Sequence, residues 1–413
     1  MFHRPTAALA LVALLTLAGQ AKADGPPAEV IHWWTSGGES AAVKVFAEQY
    51  GAAGGTWMDT AIAGGANART AAINRTVGGD PPTAMQFNTG KQFDDLVEND
   101  LLANVDAQEA AQNWNAILPA AFVQAVTRNG HAYAVPVNIH GQNWLFTSTP
   151  ALTRAGAEPP ANWDQLFTAL DKLKTAGLIP LAFSGQKNWE RNLFNNVLAG
   201  HGGRDMFVAF WGKRDVAMVK GPAFRDVAET YKRLRGYVDP GSPGRNWNDA
   251  TSLVIEGKAG MQFMGDWAKG EFTAAGLTPG KDYGCTVLGD HGIAYVMGGD
   301  VFAFPVLKDP ARIKAQQLLA RVLLEPATQI AFAQKKGSIP VRLDVDTTSL
   351  DVCARKAAGW IADKNAQVPA NEMLSPPALT GAIEDVISQY WNDPGMTTDA
   401  FVGKVASTLS QQF

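Results

Sequence analysis

The chain has 413 residues, of which 46% are hydrophobic and 18% are charged, and its formal net charge at pH 7 is −4. This length exceeds what one hydrophobic core usually supports, so we expect two lobes of ordinary size. The low charge density is typical of a globular protein, and the absence of basic runs argues against nucleic acid as a partner.

The N-terminal segment has the pattern of a secretory signal peptide, which we place at residues 1–23. The basic segment MFHRPT precedes the apolar run AALALVALLTLAG, and Ala21-Lys22-Ala23 is a cleavage site of the small-x-small type. The apolar run is short for a membrane span, and no second run of about 18 apolar residues follows. Because no cysteine lies near the cleavage site, the sequence predicts a periplasmic protein that is not a lipoprotein.

The first element after the signal peptide predicts a ligand site. Residues 31–40, IHWWTSGGES, read as a buried strand that ends in a Gly-Gly turn before a helix starting at Ser40. In an α/β sheet the carboxyl ends of the strands line the ligand crevice. Trp33 and Trp34 offer apolar ring faces there, and Glu39 offers acceptors, which together suit a sugar. Since successive strand side chains point to opposite faces, at least one of the two tryptophans is expected to be core, and the alternative is that both are.

Strands and helices then alternate, which predicts an α/β fold. Helical patterns cover 40–50 and 66–77, a short strand covers 83–88, and a helix begins near Thr89. Asn129-Gly130 predicts the turn of a hairpin within 126–137.

The second half of the chain continues the alternation. Asn162 and Gln165 have the spacing of a helix cap, and the strand LIPLAFS follows Gly177. Further strands are predicted at 258–267, 283–289 and 296–305. A helix is predicted at 313–324, and the C-terminal tail is predicted to be helical.

Two cysteines, Cys285 and Cys353, leave two alternatives open. In an oxidising compartment they could form a disulfide, which would stabilise the fold by about 4 kcal/mol in the chain-entropy estimate. They could equally be two separate buried thiols.

Signatures of catalysis and of metal binding are missing from the sequence. There is no G-x-S-x-G, no G-x-x-x-x-G-K-[ST] and no H-E-x-x-H motif, and the histidines show no ligand spacing. Glu39, Asp300 and Glu372 could in principle supply the acid/base pair of a glycosidase. We therefore expect a protein without catalysis, metal or cofactor, and keep a secreted glycoside hydrolase as the alternative.

Several segments in order carry a resemblance to a known family: AEVIHWWTSGGE, GGDPPTAMQFN, GHAYAVPVNIH, EGKAGMQFMGDW and KKGSIPVR. With them, most of the chain resembles the extracellular solute-binding proteins of ABC sugar importers, the large family that includes maltose-binding protein. The pairing of WW…GGE with KGSIP is most similar to the glucose- and mannose-binding branch. One position departs from that branch, because Glu372 stands in a segment where its members tend to carry histidine.

The resemblance implies a two-lobe periplasmic-binding-protein fold, in which each lobe is a sheet flanked by helices and crossover segments join the lobes. On this basis we assign 24–136 and 285–325 to lobe 1, and 137–284 and 326–413 to lobe 2. The implied ligand is a monosaccharide such as glucose, with a disaccharide as the alternative. The implied partners are inner-membrane permease subunits with a cytoplasmic ATPase, and the protein itself is expected to be a monomer.

The resemblance also implies which residues bind the sugar in the cleft between the lobes. They are Trp33, Trp34, Glu39, Gln86, Asn88, Trp247, Trp267, Asp300, Lys336 and Glu372. Within this set we expect Asp300 and Lys336 to form a charged clamp, each held by the ligand and by the other.

Overall fold

The computed structural model describes residues 25–413, so the predicted signal peptide and its cleavage site lie outside the described residues. The strands are, in chain order, β1 (Pro27–His32), β2 (Thr56–Ala61), β3 (Ala84–Asn88), β4 (Thr127–Arg128), β5 (His131–Ala132), β6 (Ala134–Pro136), β7 (His140–Gly141), β8 (Trp144–Ser148), β9 (Ile179–Leu181), β10 (Ala259–Met264), β11 (Tyr283–Thr286), β12 (Tyr295–Gly298), β13 (Asp300–Ala303) and β14 (Gln367–Pro369).

The helices are, in chain order, α1 (Gly37–Ala52), α2 (Gly65–Val77), α3 (Asp94–Glu98), α4 (Asp106–Gln112), α5 (Trp114–Ile117), α6 (Ala120–Val126), α7 (Thr149–Ala155), α8 (Trp163–Thr175), α9 (Lys187–Trp211), α10 (Val216–Val219), α11 (Pro222–Leu234), α12 (Trp247–Ile255), α13 (Ala268–Ala274), α14 (Pro310–Leu323), α15 (Pro326–Lys336), α16 (Val352–Ala362), α17 (Asn371–Leu374), α18 (Pro377–Asn392) and α19 (Thr398–Leu409). Among residues 25–413, no helix is long and apolar enough to cross a membrane.

Two larger sheets organise the chain into the two-lobe periplasmic-binding-protein fold. The first has the strand order β2-β1-β3-β13-β6 and the second the order β11-β8-β10-β9. A small sheet, β14-β12-β7, is built from the segments where the chain passes between them. Helices α1, α2, α14 and α15 pack on or beside the first sheet, and α7, α8, α9 and α12 on the second.

The packing shifts two of the lobe boundaries that the sequence suggests. Helix α15 packs against α1, beside the first sheet, although residues 326–413 were assigned to lobe 2. Strand β11 pairs antiparallel with β8 of the second sheet, although residues from 285 onward were assigned to lobe 1. We therefore propose that α15 belongs to lobe 1 and β11 to lobe 2, and that the other lobe boundaries stay as assigned.

Local signals in the sequence mark several elements correctly. The Asn129-Gly130 pair joins β4 to β5 with φ of 51° and 84°, the left-handed conformation that a two-residue hairpin turn needs. Asn162 caps α8 by accepting a hydrogen bond from the Gln165 backbone N–H. The predicted start of α1 at Ser40 was three residues too late, because the helix begins at Gly37 with Ser36 as its N-cap.

The two cysteines form a disulfide in the structure. Cys285 on β11 and Cys353 on α16 have their Cα atoms 6.1 Å apart, within the span that a disulfide can bridge. The bond therefore fastens the second sheet to the segment that leads from α15 to β14.

Candidate functional site

A cavity of about 930 Å³ lies between the helices of the two lobes. All the residues that the sequence nominates for ligand binding line it except Gln86. Nine of the ten nominated residues therefore come together in one cleft, although they are spread over most of the chain.

The two tryptophans at the end of β1 take different positions. Trp34 is only 1% exposed and packs among Phe46, Phe302 and Phe332, with ring centroids 5.3 to 6.1 Å away. Trp33 is partly exposed in the cleft. One indole thus anchors the strand end in the core, as the alternation of a strand predicts, and the other presents its ring to the cavity.

Glu39 has two structural roles at the start of α1. Its side chain forms a reciprocal capping box with Ser36, which satisfies backbone donors in the first helical turn. The same carboxylate accepts a hydrogen bond of 3.0 Å from the Lys336 ammonium, and both side chains are buried. Lys336 also lies 5.8 Å from the Trp34 ring centroid, a cation–π geometry.

Asp300, at the start of β13, is the centre of a buried hydrogen-bond network. Its carboxylate accepts from Gln86 at 3.0 Å, from Asn88 at 3.3 Å, from Asn138 at 2.9 Å and from His140 Nε2 at 2.9 Å. Because a carboxylate offers roughly four acceptor positions, protein donors already occupy most of its capacity.

The prediction that Asp300 and Lys336 hold each other was wrong. Lys336 bonds to Glu39, and it acts on Asp300 only through space. Burial alone would raise the pKa of Asp300, but the His140 charge and hydrogen bond hold it below its ordinary value. Asp300 is therefore an ionised carboxylate that orients its neighbours.

Gln86 also serves as a connector. It is 2% exposed, and its amide oxygen accepts from the Trp33 backbone N–H at 3.0 Å while its nitrogen donates to Asp300. Both ends of the amide are thus used within the protein, which fixes Trp33 relative to Asp300.

His140, on the crossover strand β7, joins two carboxylates from different lobes. Its Nδ1 lies 2.5 Å from Asp266, which follows β10, and its Nε2 lies 2.9 Å from Asp300. Burial would lower the pKa of His140, yet the charges of Asp266 and Asp300 raise it to about 9. The imidazole is consequently a cation at neutral pH and bridges the lobes at the cleft.

Three tryptophans, Trp189, Trp247 and Trp267, form an aromatic wall of the cleft. The Trp189 centroid is 6.4 Å from that of Trp247 and 5.9 Å from that of Trp267, and Trp267 meets the His140 ring edge-on at 5.2 Å. Each stands in or just before the first turn of a helix: α9, α12 and α13. These helix starts direct the indoles into the cavity.

Glu372 reaches the cleft from α17. Gln142 donates a short hydrogen bond to its carboxylate, and an added Cβ at Gly298 would lie 2.9 Å from Glu372 Oε1. Glu372 therefore lines the cavity close to the crossover segments.

Three of the cavity residues that sequence reasoning missed are Trp189, His140 and Arg69. Trp189 has the same setting as Trp247, a tryptophan between polar residues at a helix start, so this signal could have been used. His140 was set aside because it lacks metal-ligand spacing. Arg69 had no signal in the sequence beyond its helix. Among the described residues, no cluster of His, Cys, Asp or Glu suits a metal ion.

Comparison with known proteins agrees with the fold. The family model described as bacterial extracellular solute-binding protein matches residues 41–358. A "probable sugar-binding periplasmic protein" of Brucella melitensis is 36% identical over 96% of this chain and 94% of its own length. A protein of the same name from Rhizobium meliloti is also 36% identical, over 96% of this chain and 97% of its own. The solved structure of a chitin oligosaccharide binding protein superposes with a TM-score of 0.78 at 17% identity, covering 94% of this chain and 98% of that one.

Proposed function

The chain belongs to the bacterial extracellular solute-binding proteins, and on this premise we propose that it is the periplasmic sugar-binding component of an ABC importer. The ligand is a hexose, glucose or a close relative, bound in the cleft between the lobes. It is recognised without catalysis and delivered to inner-membrane permease subunits that work with a cytoplasmic ATPase. The protein is exported by its signal peptide, is not lipidated and acts as a monomer.

The main support for the proposal is a cleft that is lined both by indole rings and by charged side chains. Sugar rings have C–H faces that pack on indoles, and the wall of Trp189, Trp247 and Trp267 offers such faces. Sugar hydroxyls need donors and acceptors, and Lys336 and Glu372, which both line the cavity, can supply them. Asn88, Glu39 and Trp33 complete the proposed contacts, while Gln86, Asp300 and Trp34 hold them in position.

Two of the three carboxyls that could serve a glycosidase are unsuited to act as its general acid. The general acid of a glycosidase must keep its proton at the working pH. Asp300 has a lowered pKa because the neighbouring His140 charge offsets its burial, and Glu39 is bound to the Lys336 ammonium. Neither carboxyl is set up to donate a proton to a leaving group.

Ligand-stabilised closure is the proposed mechanism. A sugar that contacts both lobes binds the closed form more tightly than the open one, and so it shifts the population toward closure. The permease would then recognise the closed surface.

Calorimetric titration of the mature protein with glucose, galactose, mannose and xylose tests the ligand class. We expect saturable binding of at least one hexose, accompanied by a change in tryptophan emission. Absence of binding to every sugar, or release of product from an oligosaccharide, would contradict the proposal. Reduced uptake of the same hexose after disruption of the gene tests the transport role.

A further inference from the structure

Helix α13 follows β10 of the second sheet and is fixed to the second lobe. The Phe272 ring stacks on Tyr283 of β11, with centroids 4.1 Å apart, and lies 5.7 Å from the ring of Phe146 on β8. The buried Lys269 ammonium also bonds at 2.8 Å to the carboxylate of Asp351, which caps α16. These contacts make α13 a part of the second lobe.

Glu271, on the same helix, reaches across to the first lobe. Its Oε1 accepts a hydrogen bond of 2.7 Å from the Ser36 hydroxyl and one of 2.8 Å from the Gly38 backbone N–H. Both donors lie at the start of α1, where the positive end of the helix dipole favours a carboxylate. Hydrogen bonds to an ionised acceptor are roughly twice as strong as those between neutral groups. Glu271 therefore joins α13 of one lobe to α1 of the other.

The backbones of the two lobes come very close beside this carboxylate. A Cβ added to Gly38 on α1 would overlap the carbonyl carbon of Gly270 on α13. A Cβ added to Gly270 would lie 2.9 Å from the carbonyl oxygen of Lys335, near the end of α15. Glycine permits so close an approach because it has no Cβ. The junction of α1, α13 and α15 thus has no room for a larger side chain at either glycine.

This junction adjoins the ligand cavity but is not part of its lining. Ser36 lines the cavity, whereas Glu271 and Gly38 do not. The Ser36 hydroxyl also accepts a hydrogen bond of 3.4 Å from the Glu39 backbone N–H, and the Glu39 carboxylate in turn holds Lys336. Glu271 therefore acts beside the proposed sugar contacts without touching a ligand in the cavity.

We infer that Glu271 is a positioning residue that holds the two lobes together and thereby sets the affinity for the sugar. The effect on affinity rests on the proposed function, but the contact itself involves no ligand. Opening that separates α13 from α1 breaks both hydrogen bonds of Glu271, so these bonds stabilise the closed form. The apparent affinity for a ligand falls in proportion to the fraction of protein that is competent to bind it. A larger closed fraction in the unliganded protein consequently strengthens sugar binding.

Small-angle X-ray scattering of the mature protein measures how far the lobes are open. Without sugar, Glu271→Ala should have a larger radius of gyration than the wild type, and at saturating hexose the two radii should be equal. In calorimetry the same variant should bind the hexose about tenfold more weakly, as expected if the closed fraction falls from nearly all of the protein to about one tenth. Glu271→Gln keeps an acceptor oxygen, so its radius and affinity should lie between those of the wild type and Glu271→Ala.

Gly38→Ala tests the backbone contact, because it keeps the N–H donor and adds a methyl group that pushes α13 away from α1. It should enlarge the unliganded protein and weaken the hexose as Glu271→Ala does. Gly51→Ala is its matched control, since Gly51 lies in the same helix and an added Cβ there meets no atom within 4 Å. Asp309→Ala is the control for the carboxylate, because Asp309 caps α14 within the first lobe. Both controls should keep the radius and the affinity of the wild type. If Gly38→Ala fails to fold, the two Glu271 variants decide the question.

Two results would overturn the inference and leave the proposed function standing. One is a folded Glu271→Ala protein with the radius and the affinity of the wild type. The other is weaker hexose binding with an unchanged radius of gyration, which would limit Glu271 to the support of Ser36. A wild-type protein that binds no sugar contradicts the proposed function itself. Even then, a larger radius of unliganded Glu271→Ala would support the contact between the lobes.

Discussion

The protonated His140 should make the stability of this protein depend on pH in a direction that is unusual for a carboxylate-rich cleft. The folded state raises the pKa of His140 from about 6.5 to about 9. A raised pKa means that the folded state holds the proton more tightly than the unfolded chain does. The stabilisation is therefore complete below about pH 6.5 and is lost as the pH rises through about 9.

The size of this effect follows from the shift of the pKa. Each pKa unit corresponds to about 1.4 kcal/mol, so a shift from about 6.5 to about 9 contributes about 3 kcal/mol to the free energy of unfolding. That is a substantial share of the roughly 5–15 kcal/mol that stabilises a typical domain. The variant His140→Gln keeps a polar side chain and has no proton to lose in this range.

Urea unfolding followed by circular dichroism at about pH 6 and about pH 9.5, on the wild type and His140→Gln, measures the difference. The wild type should lose about 3 kcal/mol more than the variant over this interval. A titration of the His140 ring by NMR should independently give a pKa near 9. Equal losses in the two proteins, or a ring that titrates at its ordinary pKa, would refute the bridging role of His140.

Three further perturbations address the cleft and the disulfide. Lys336→Met leaves Glu39 buried without its partner and should lower the free energy of unfolding by about 3–5 kcal/mol. The added change Glu39→Gln should restore part of this loss. An unchanged free energy of unfolding in Lys336→Met would contradict the ion pair. Replacing both Cys285 and Cys353 by serine should lower the free energy of unfolding by about 2–5 kcal/mol, and reductant should then no longer alter the melting temperature of the variant. Asp300→Ala should weaken hexose binding by at least tenfold, about 1.4 kcal/mol, in a calorimetric titration of protein shown to be folded; wild-type affinity would mean that the network around Asp300 does not organise the site.

Elements with strong local signals could be predicted from the sequence. The Asn129-Gly130 turn and the Asn162 cap depend on side chains within a few residues of each other, so the chemistry is visible along the chain. The strand before Trp33 was found for the same reason, because its apolar run is local, although the two glycines predicted as a turn begin α1.

Other elements lacked such a signal. Strand β2 is a largely exposed edge strand between glycine-rich segments, so its sequence shows no clear alternation. Helix α9 contains many asparagines and the non-helical Gly203, which interrupt the apolar period that marks a helix.

The pairings inside the site were beyond the reach of sequence pattern. Lys336 and Glu39 are 297 positions apart, and His140 is separated from Asp266 by 126 positions and from Asp300 by 160. The resemblance to a family nominated residues that meet in one cleft, but it did not say which charge would face which. That choice depends on how α15 and β7 pack, and so the expected pair of Asp300 and Lys336 was wrong.

A crystal structure of the mature protein with the tightest-binding sugar of the calorimetric panel would show where the ligand binds. We expect a sugar ring in the interlobe cleft, packed on the wall of Trp189, Trp247 and Trp267, with hydroxyls bonded to Lys336 and Glu372. A sugar bound outside this cleft, or one that contacts a single lobe and leaves these two side chains without a bond to it, would contradict the proposed function.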